Sequence, residues 1–289
     1  MLSCYLFYYL VQKIDLQNSP GSIYVGKAGL SLIFLQKALL QENPDIKEIF
    51  LKDVYGWAEE GLVSVHPHRQ FTFLEGMTGP ICLSAVALFY LKDTKAALEC
   101  YLKRLQSVSF EKFPANQCEL LYGRAGYLYS LLFAQHHIGR DCIAVDILRK
   151  VVSDIILYGR TASETQKFSF FPLYYEWHEK CYFGAAHGIT GILLTLLNTH
   201  LLNPSILEPY LEEIFQTIDE LLKFTFQSKN LPSSLSCSLK HEKEDDEPVQ
   251  WCHGASGLIP LLCVVSAVYF SFITYVPRNS NIFLKLIYY

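Results

Sequence analysis

A Gly-x-x-Gly step occurs five times along this chain, and its last copy, Trp251-Cys252-His253-Gly254-Ala255-Ser256-Gly257, adds an indole, a thiol and an imidazole. The earlier copies are Gly26-Lys27-Ala28-Gly29, Gly76-Met77-Thr78-Gly79, Gly123-Arg124-Ala125-Gly126 and Gly188-Ile189-Thr190-Gly191. They recur at intervals of about 50 to 65 residues, room for a pair of helices with their loops. Apolar segments follow four of the steps: Leu30, Ile33, Phe34; Ile81, Val86, Leu88, Phe89; Leu128, Leu131, Leu132, Phe133; and Ile192, Leu193, Leu196, Leu197. These spacings suit helices with a broad buried face. Between them run wetter stretches such as Leu207 to Leu222, where carboxylates alternate with apolar residues at helical period. The alternation predicts an all-α fold, an α/α toroid in which inner helices line a centre and outer helices cover them. Glycine ahead of each inner helix would permit positive φ and close backbone approach. It would also turn the first N–H groups of the helix toward the centre, where an anion or thiolate is favoured. For the first three steps, helix packing alone is the competing account.

The composition fits a globular protein. At 289 residues and 51% hydrophobic, the chain can bury a large core. Its formal charge of −4 and scattered Lys and Arg speak against nucleic acid as a partner. Nine cysteines without a Cys-x-x-Cys pair point away from a disulfide framework and toward a reducing, cytoplasmic compartment. Cys4, Cys82, Cys100, Cys118, Cys142, Cys181, Cys237 and Cys263 read as small buried or incidental thiols. The run from Leu258 to Val276 carries no charge. It reaches the lower bound for a membrane span, but a buried inner helix is the preferred reading. The apolar start, Met1 to Leu10, reads as a packed helix, and the acidic run Glu242 to Glu247 as an exposed loop.

Three positions carry the candidate chemistry. Cys252 at a helix start could serve as a thiolate or zinc ligand, with Trp251 walling off the site; a buried free thiol is the alternative. His187, just before Gly188, could give or take a proton near neutral pH, or could simply be satisfied by backbone carbonyls. Glu119, four residues before Gly123, could orient a base or a substrate ammonium, or serve only as a carboxylate at a helix start. His66, His68, His136, His137, His178, His200 and His241 fall outside the glycine steps and read as surface or packing residues.

Five motifs in order, from Tyr24-Val25-Gly26-Lys27-Ala28-Gly29 through Leu121-Tyr122-Gly123-Arg124-Ala125-Gly126 and Ala186-His187-Gly188-Ile189-Thr190-Gly191 to Trp251-Cys252-His253-Gly254, resemble the lanthionine synthetase C-like (LanC-like) family, most of all its eukaryotic members. The resemblance covers about residues 20 to 262. It implies one LanC-like toroid domain over 1–289, with divergent ends at 1–19 and 263–289. It also implies glutathione as a partner and zinc-dependent addition of a thiol to dehydroamino acids in peptides or proteins. By resemblance Cys252 is a zinc ligand, His187 the acid/base and Trp251 the aromatic beside the metal. Glu119 falls where bacterial members have an active-site aspartate.

The departures from the family pattern are specific. The family's remaining zinc ligands come from a Cys-His-Gly step one repeat further on, and no such segment follows Cys263. A bacterial arginine position is occupied by Pro248. About five of the family's seven hairpins are marked, so a shortened form with an incomplete zinc site and impaired activity is expected. A non-catalytic binding or regulatory fragment of the same fold is the alternative.

Overall fold

The computed structural model describes residues 19–65, 71–109, 113–114, 116–166, 170–239, 247 and 249–273. Among them the secondary structure is helical, with two isolated bridges, Trp177 with Lys180 and Tyr182 with Ser234. The chain divides into two compact units, Met1–Leu105 and Gln106–Tyr289.

The first unit holds α1 (Lys27–Leu39), α2 (Pro44–Ser64), α3 (Thr78–Leu91) and α4 (Lys95–Gln106). Asn43 starts α2: its side chain accepts from the N–H groups of Asp45 and Ile46, and Pro44 supplies a preset φ. Phe50, Leu51, Val54, Ala58 and Gly61 then form one buried stripe on α2. On α3, by contrast, every residue from Thr78 to Leu88 is buried. The expected alternation of half-wet and buried helices is therefore present. Two residues depart from it: Ile33 is 46% exposed and Phe89 38%, because each sits on the side of its helix that no neighbour covers.

The second unit holds α5 (Arg124–Ile138), α6 (Val145–Thr165), α7 (Ile189–Leu202), α8 (Leu211–Leu222) and α9 (Ala255–Ile273). α7 packs against both α5 and α9. On α6 the buried positions Leu148, Val151, Val152, Ile155, Ile156 and Gly159 follow the spacing of a one-sided helix. The stretch from Leu207 to Leu222 is not one helix. Pro204–Leu207 forms a short helix and Glu208–Tyr210 a single tighter turn, and α8 begins at Leu211, since Pro209 has no N–H to give an uninterrupted helix. α9 buries Leu258, Leu261, Val265 and Val268 and leaves Ile259 58% exposed. Among the described residues no helix is long and apolar enough to cross a membrane. Positions 274–276 of the uncharged run lie outside them, as do Met1 to Leu10.

The steps at Gly26, Gly123 and Gly188 share one geometry, and it differs from expectation in two respects. First, Gly26, Gly123 and Gly188 have φ of −138°, −107° and −110°, so none needs the left-handed region. Close approach is what excludes a side chain. A Cβ on the second glycine of a step would lie 2.0 Å from the Phe73 carbonyl oxygen at Gly79 and 1.9 Å from that of Ala185 at Gly191. Second, the first N–H groups of these helices are not free for an anion. Those of Lys27, Arg124 and Ile189 donate to the carbonyls of Pro20, Gln117 and Tyr182, each seven residues back, at 2.9, 3.0 and 3.0 Å. The loop folds over the helix start and consumes its donors. Adjacent loops are then stitched together: Tyr24 N–H to Leu74 in the first unit, and Leu120 N–H to Ala186 and Ala185 N–H to Trp251 in the second. The last three steps therefore form one row.

Candidate functional site

That row gathers Glu119, Tyr122, His187, Trp251, Cys252 and His253 at the starts of α5, α7 and α9. Glu119 is 2% exposed. One of its oxygens accepts from Leu121 N–H at 2.8 Å, and the other from Tyr122 N–H at 2.5 Å. Its buried carboxylate thus closes the turn before α5. It also reaches His187, whose Nδ1 lies 2.9 Å from Oε2. The His187 side chain keeps 22% of its surface exposed, so the imidazole spans from a buried carboxylate to an open face. A hydrogen bond of this kind selects the Nδ1–H tautomer in neutral histidine and leaves Nε2 bare to handle a proton.

The imidazole is walled by aromatic rings. Trp177 lies parallel to it, with 3° between the planes and 5.4 Å between centroids, and Tyr122 stacks at 20° and 5.8 Å. Tyr182 approaches both His187, at 6.3 Å, and His253, at 5.7 Å. Burial pushes the His253 imidazole below its ordinary value, and the nearby His187 adds to this against the pull of Glu247. Its Nδ1 is buried without a hydrogen-bond partner.

The Cys252 loop rests against the His187 loop through backbone. A Cβ on Gly184 would meet the Cys252 carbonyl oxygen, and the Trp251 carbonyl accepts from Ala185 N–H at 3.3 Å. Cys252 is half-exposed, its thiol 3.5 Å from Gln250 Oε1. Burial pushes the Cys118 thiol up to about 12 and the Cys142 thiol up to about 11, as befits packing residues. Asn230 holds the Cys252 loop in place. Its Oδ1 accepts from Ala255 N–H at 2.8 Å, capping α9 from outside, while its Nδ2 donates to the Glu247 carbonyl at 2.7 Å. Glu247, expected in an exposed loop, also accepts from Ser233 N–H, because this clasp needs a local acceptor. Residues 241–246 and Pro248 lie outside the described residues.

A zinc ion takes three or four Cys, His or carboxylate donors. Among the described residues no three such groups come together in a way that could hold a metal. Cys252 is one donor, and the residues beside it do not complete a set. The sequence reading brought out His187, Glu119, Cys252 and Trp251 but missed Trp177, Tyr182 and Asn230. All three stand away from the glycines, on loops whose residue types carry no periodic signal. Of the histidines set aside, His178 is exposed, His200 is buried, and His66, His68 and His241 lie outside the described residues.

A model of the lanthionine synthetase C-like protein family matches residues 17–275. The chain belongs to this LanC-like family. It is 30% identical over 255 residues to a zebrafish (Danio rerio) protein named glutathione S-transferase LANCL1, covering 87% of this chain and 59% of that one. To the Arabidopsis thaliana LanC-like protein GCL1 it is 30% identical over 210 residues, 70% of this chain and 46% of the relative. The chain thus spans about half the length of these curated relatives. Among solved structures it resembles nisin cyclase, with a TM-score of 0.50 at 16% identity over 92% of this chain and 70% of that chain. This likeness shows the fold class, the all-α toroid of LanC-like proteins.

Proposed function

We propose that residues 1–289 form one LanC-like domain carrying the proton-transfer part of a thiol-addition site, with glutathione as the thiol and dehydroamino acids of a peptide or protein as acceptor. The single observation behind this reading is the hydrogen bond between buried Glu119 and half-exposed His187, set beside the Cys252 loop. In such an addition the thiolate sulfur bonds to the β-carbon of the alkene, and the electron pair moves to the α-carbon. The α-carbon then takes a proton, so that the thiol adds across the double bond with no net redox change. His187 is suited to exchange that proton at Nε2, held in register by Glu119 at Nδ1. Trp251 would shield the reacting sulfur from water. The name of the zebrafish relative supports glutathione, and the likeness to nisin cyclase supports a peptide acceptor. The free thiols of the described cysteines suit a cytoplasmic setting.

Incubating the full chain with glutathione and a dehydroalanine peptide, followed by mass spectrometry, tests the reading. His187→Gln should lower the enzymatic part of the rate by roughly 10² or more. A rate equal to that of the uncatalysed mixture in both proteins would defeat the proposal. A second reading, a non-catalytic binding fragment, is favoured because among the described residues no metal-holding group forms around Cys252. It expects glutathione binding without adduct formation.

A further inference from the structure

We propose that Trp177 is a positioning residue for His187, fixing the plane of its imidazole while Glu119 fixes its edge. This builds on the proton-transfer reading of His187 above. A hydrogen bond at Nδ1 decides which edge of the ring faces Glu119, but hydrogen-bond geometry is tolerant and restrains the tilt about the bond to Cβ only loosely. The stack removes that freedom. Trp177 lies within 3° of parallel to His187, and Tyr122, at 21° to Trp177 and 20° to His187, joins them in one cluster of near-parallel rings whose centroids are 5.4 to 5.8 Å apart. Tyr122 is itself held by its own N–H on the Glu119 carboxylate.

The hairpin that presents Trp177 is built for placement. Trp177 N–H donates to the Lys180 carbonyl at 2.9 Å, and Lys180 N–H returns a bond to the Trp177 carbonyl at 3.1 Å. Between them His178 and Glu179 hold φ of 48° and 60°, the left-handed pair that a two-residue hairpin turn demands and that glycine or asparagine would supply without strain. Just before the turn, Glu176 accepts from the Tyr174 hydroxyl at 2.8 Å and the Gln166 side chain at 3.2 Å. Anchored on one side and strained at its tip, the turn delivers a half-exposed indole onto an imidazole.

Nitrogen-15 NMR of the full chain labelled at histidine, at about pH 8, reads this directly. The His187 signal is identified by its loss in His187→Gln. In the parent protein one fixed tautomer, with Nδ1 protonated and Nε2 bare, and a ring C–H resonance displaced by the stacked indole are expected. Trp177→Leu should move the nitrogen signals toward the average of two tautomers, and Trp177→Phe, which keeps a flat ring, should restore the fixed pattern. A Leu variant that retains the parent tautomer would overturn the proposal, for the carboxylate alone would then hold the ring. Should that variant lose its helical circular dichroism, Trp177→Met fills the slot without a π face and is judged by the same signals. In the glutathione addition assay Trp177→Leu should lower kcat by more than about tenfold with KM little changed. A parent protein without that activity would defeat the proton-transfer reading alone, since the nitrogen signals still decide the positioning.

Discussion

Glu119 has three partners and almost no contact with water. It accepts two backbone N–H groups and faces His187 Nδ1. Glu119→Gln keeps the shape but replaces one acceptor oxygen with a donor that meets an N–H or an imidazole N–H. Urea denaturation should show a loss of about 1 to 3 kcal/mol, the cost of a buried donor left without an acceptor. A second prediction at this scale concerns pH. Burial pushes His137 down to about 4, and burial also lowers His200 and His253. In each, the folded state disfavours the proton that the unfolded chain accepts near 6.5. Stability should therefore be complete above that value and fall as pH drops from about 6.5 toward 4. His137 is partly solvated, which screens its effect to on the order of 1 kcal/mol. His137→Gln should flatten part of the slope when urea midpoints are measured across that window.

At the scale of the element, the glycine steps and the α9 cap decide how helices meet their loops. At Gly191 an added methyl would stand 1.9 Å from the Ala185 carbonyl oxygen, within the loop that also carries His187. Gly191→Ala should cost about 3 kcal/mol or more, since backbone has to move. Gly56 is the control: it lies on the exposed side of α2 with nothing within 4 Å of the added methyl. There Gly→Ala should stabilise by about 0.5 to 1 kcal/mol through helix propensity. Thermal unfolding of the two variants, expected to shift in opposite directions, checks both. Asn230→Ala removes the cap on α9 and leaves the Glu247 carbonyl without its donor, for a loss of about 1 to 3 kcal/mol.

For the molecule as a whole, the family membership and the donor count lead to a definite expectation about zinc. Among the described residues Cys252 has no grouped set of co-ligands, and a lone cysteine binds zinc far more weakly than a complete site. The 289-residue chain equilibrated with zinc and then gel-filtered should carry well under one ion per chain by elemental analysis. A full ion per chain, lost in Cys252→Ala, would place the missing donors among the residues not described.

Much of the architecture was legible in the sequence because it rests on composition at fixed spacing. An inner helix such as α3 is buried all round and must be apolar at nearly every position, whereas α6 and α8 are buried on one side and must alternate. Each loop that folds back over a helix start excludes a Cβ there, so glycine recurs. The five steps are thus visible as pattern, and His187 and Cys252 stand out because they lie beside it. The partners of those residues were not legible. Glu119 meets His187 across 68 residues of sequence, and Trp177 reaches it from a hairpin outside every repeat. Asn230 caps a helix that begins 25 residues later. Such contacts depend on where loops of different repeats come to rest, which no local spacing encodes. The sequence by itself determined that buried and half-wet helices alternate and where glycine is required, because burial and backbone clearance act on residue types. Only the tertiary structure decided which side chains meet at the row of helix starts, because orientation across loops is set by packing and hydrogen bonds between distant segments.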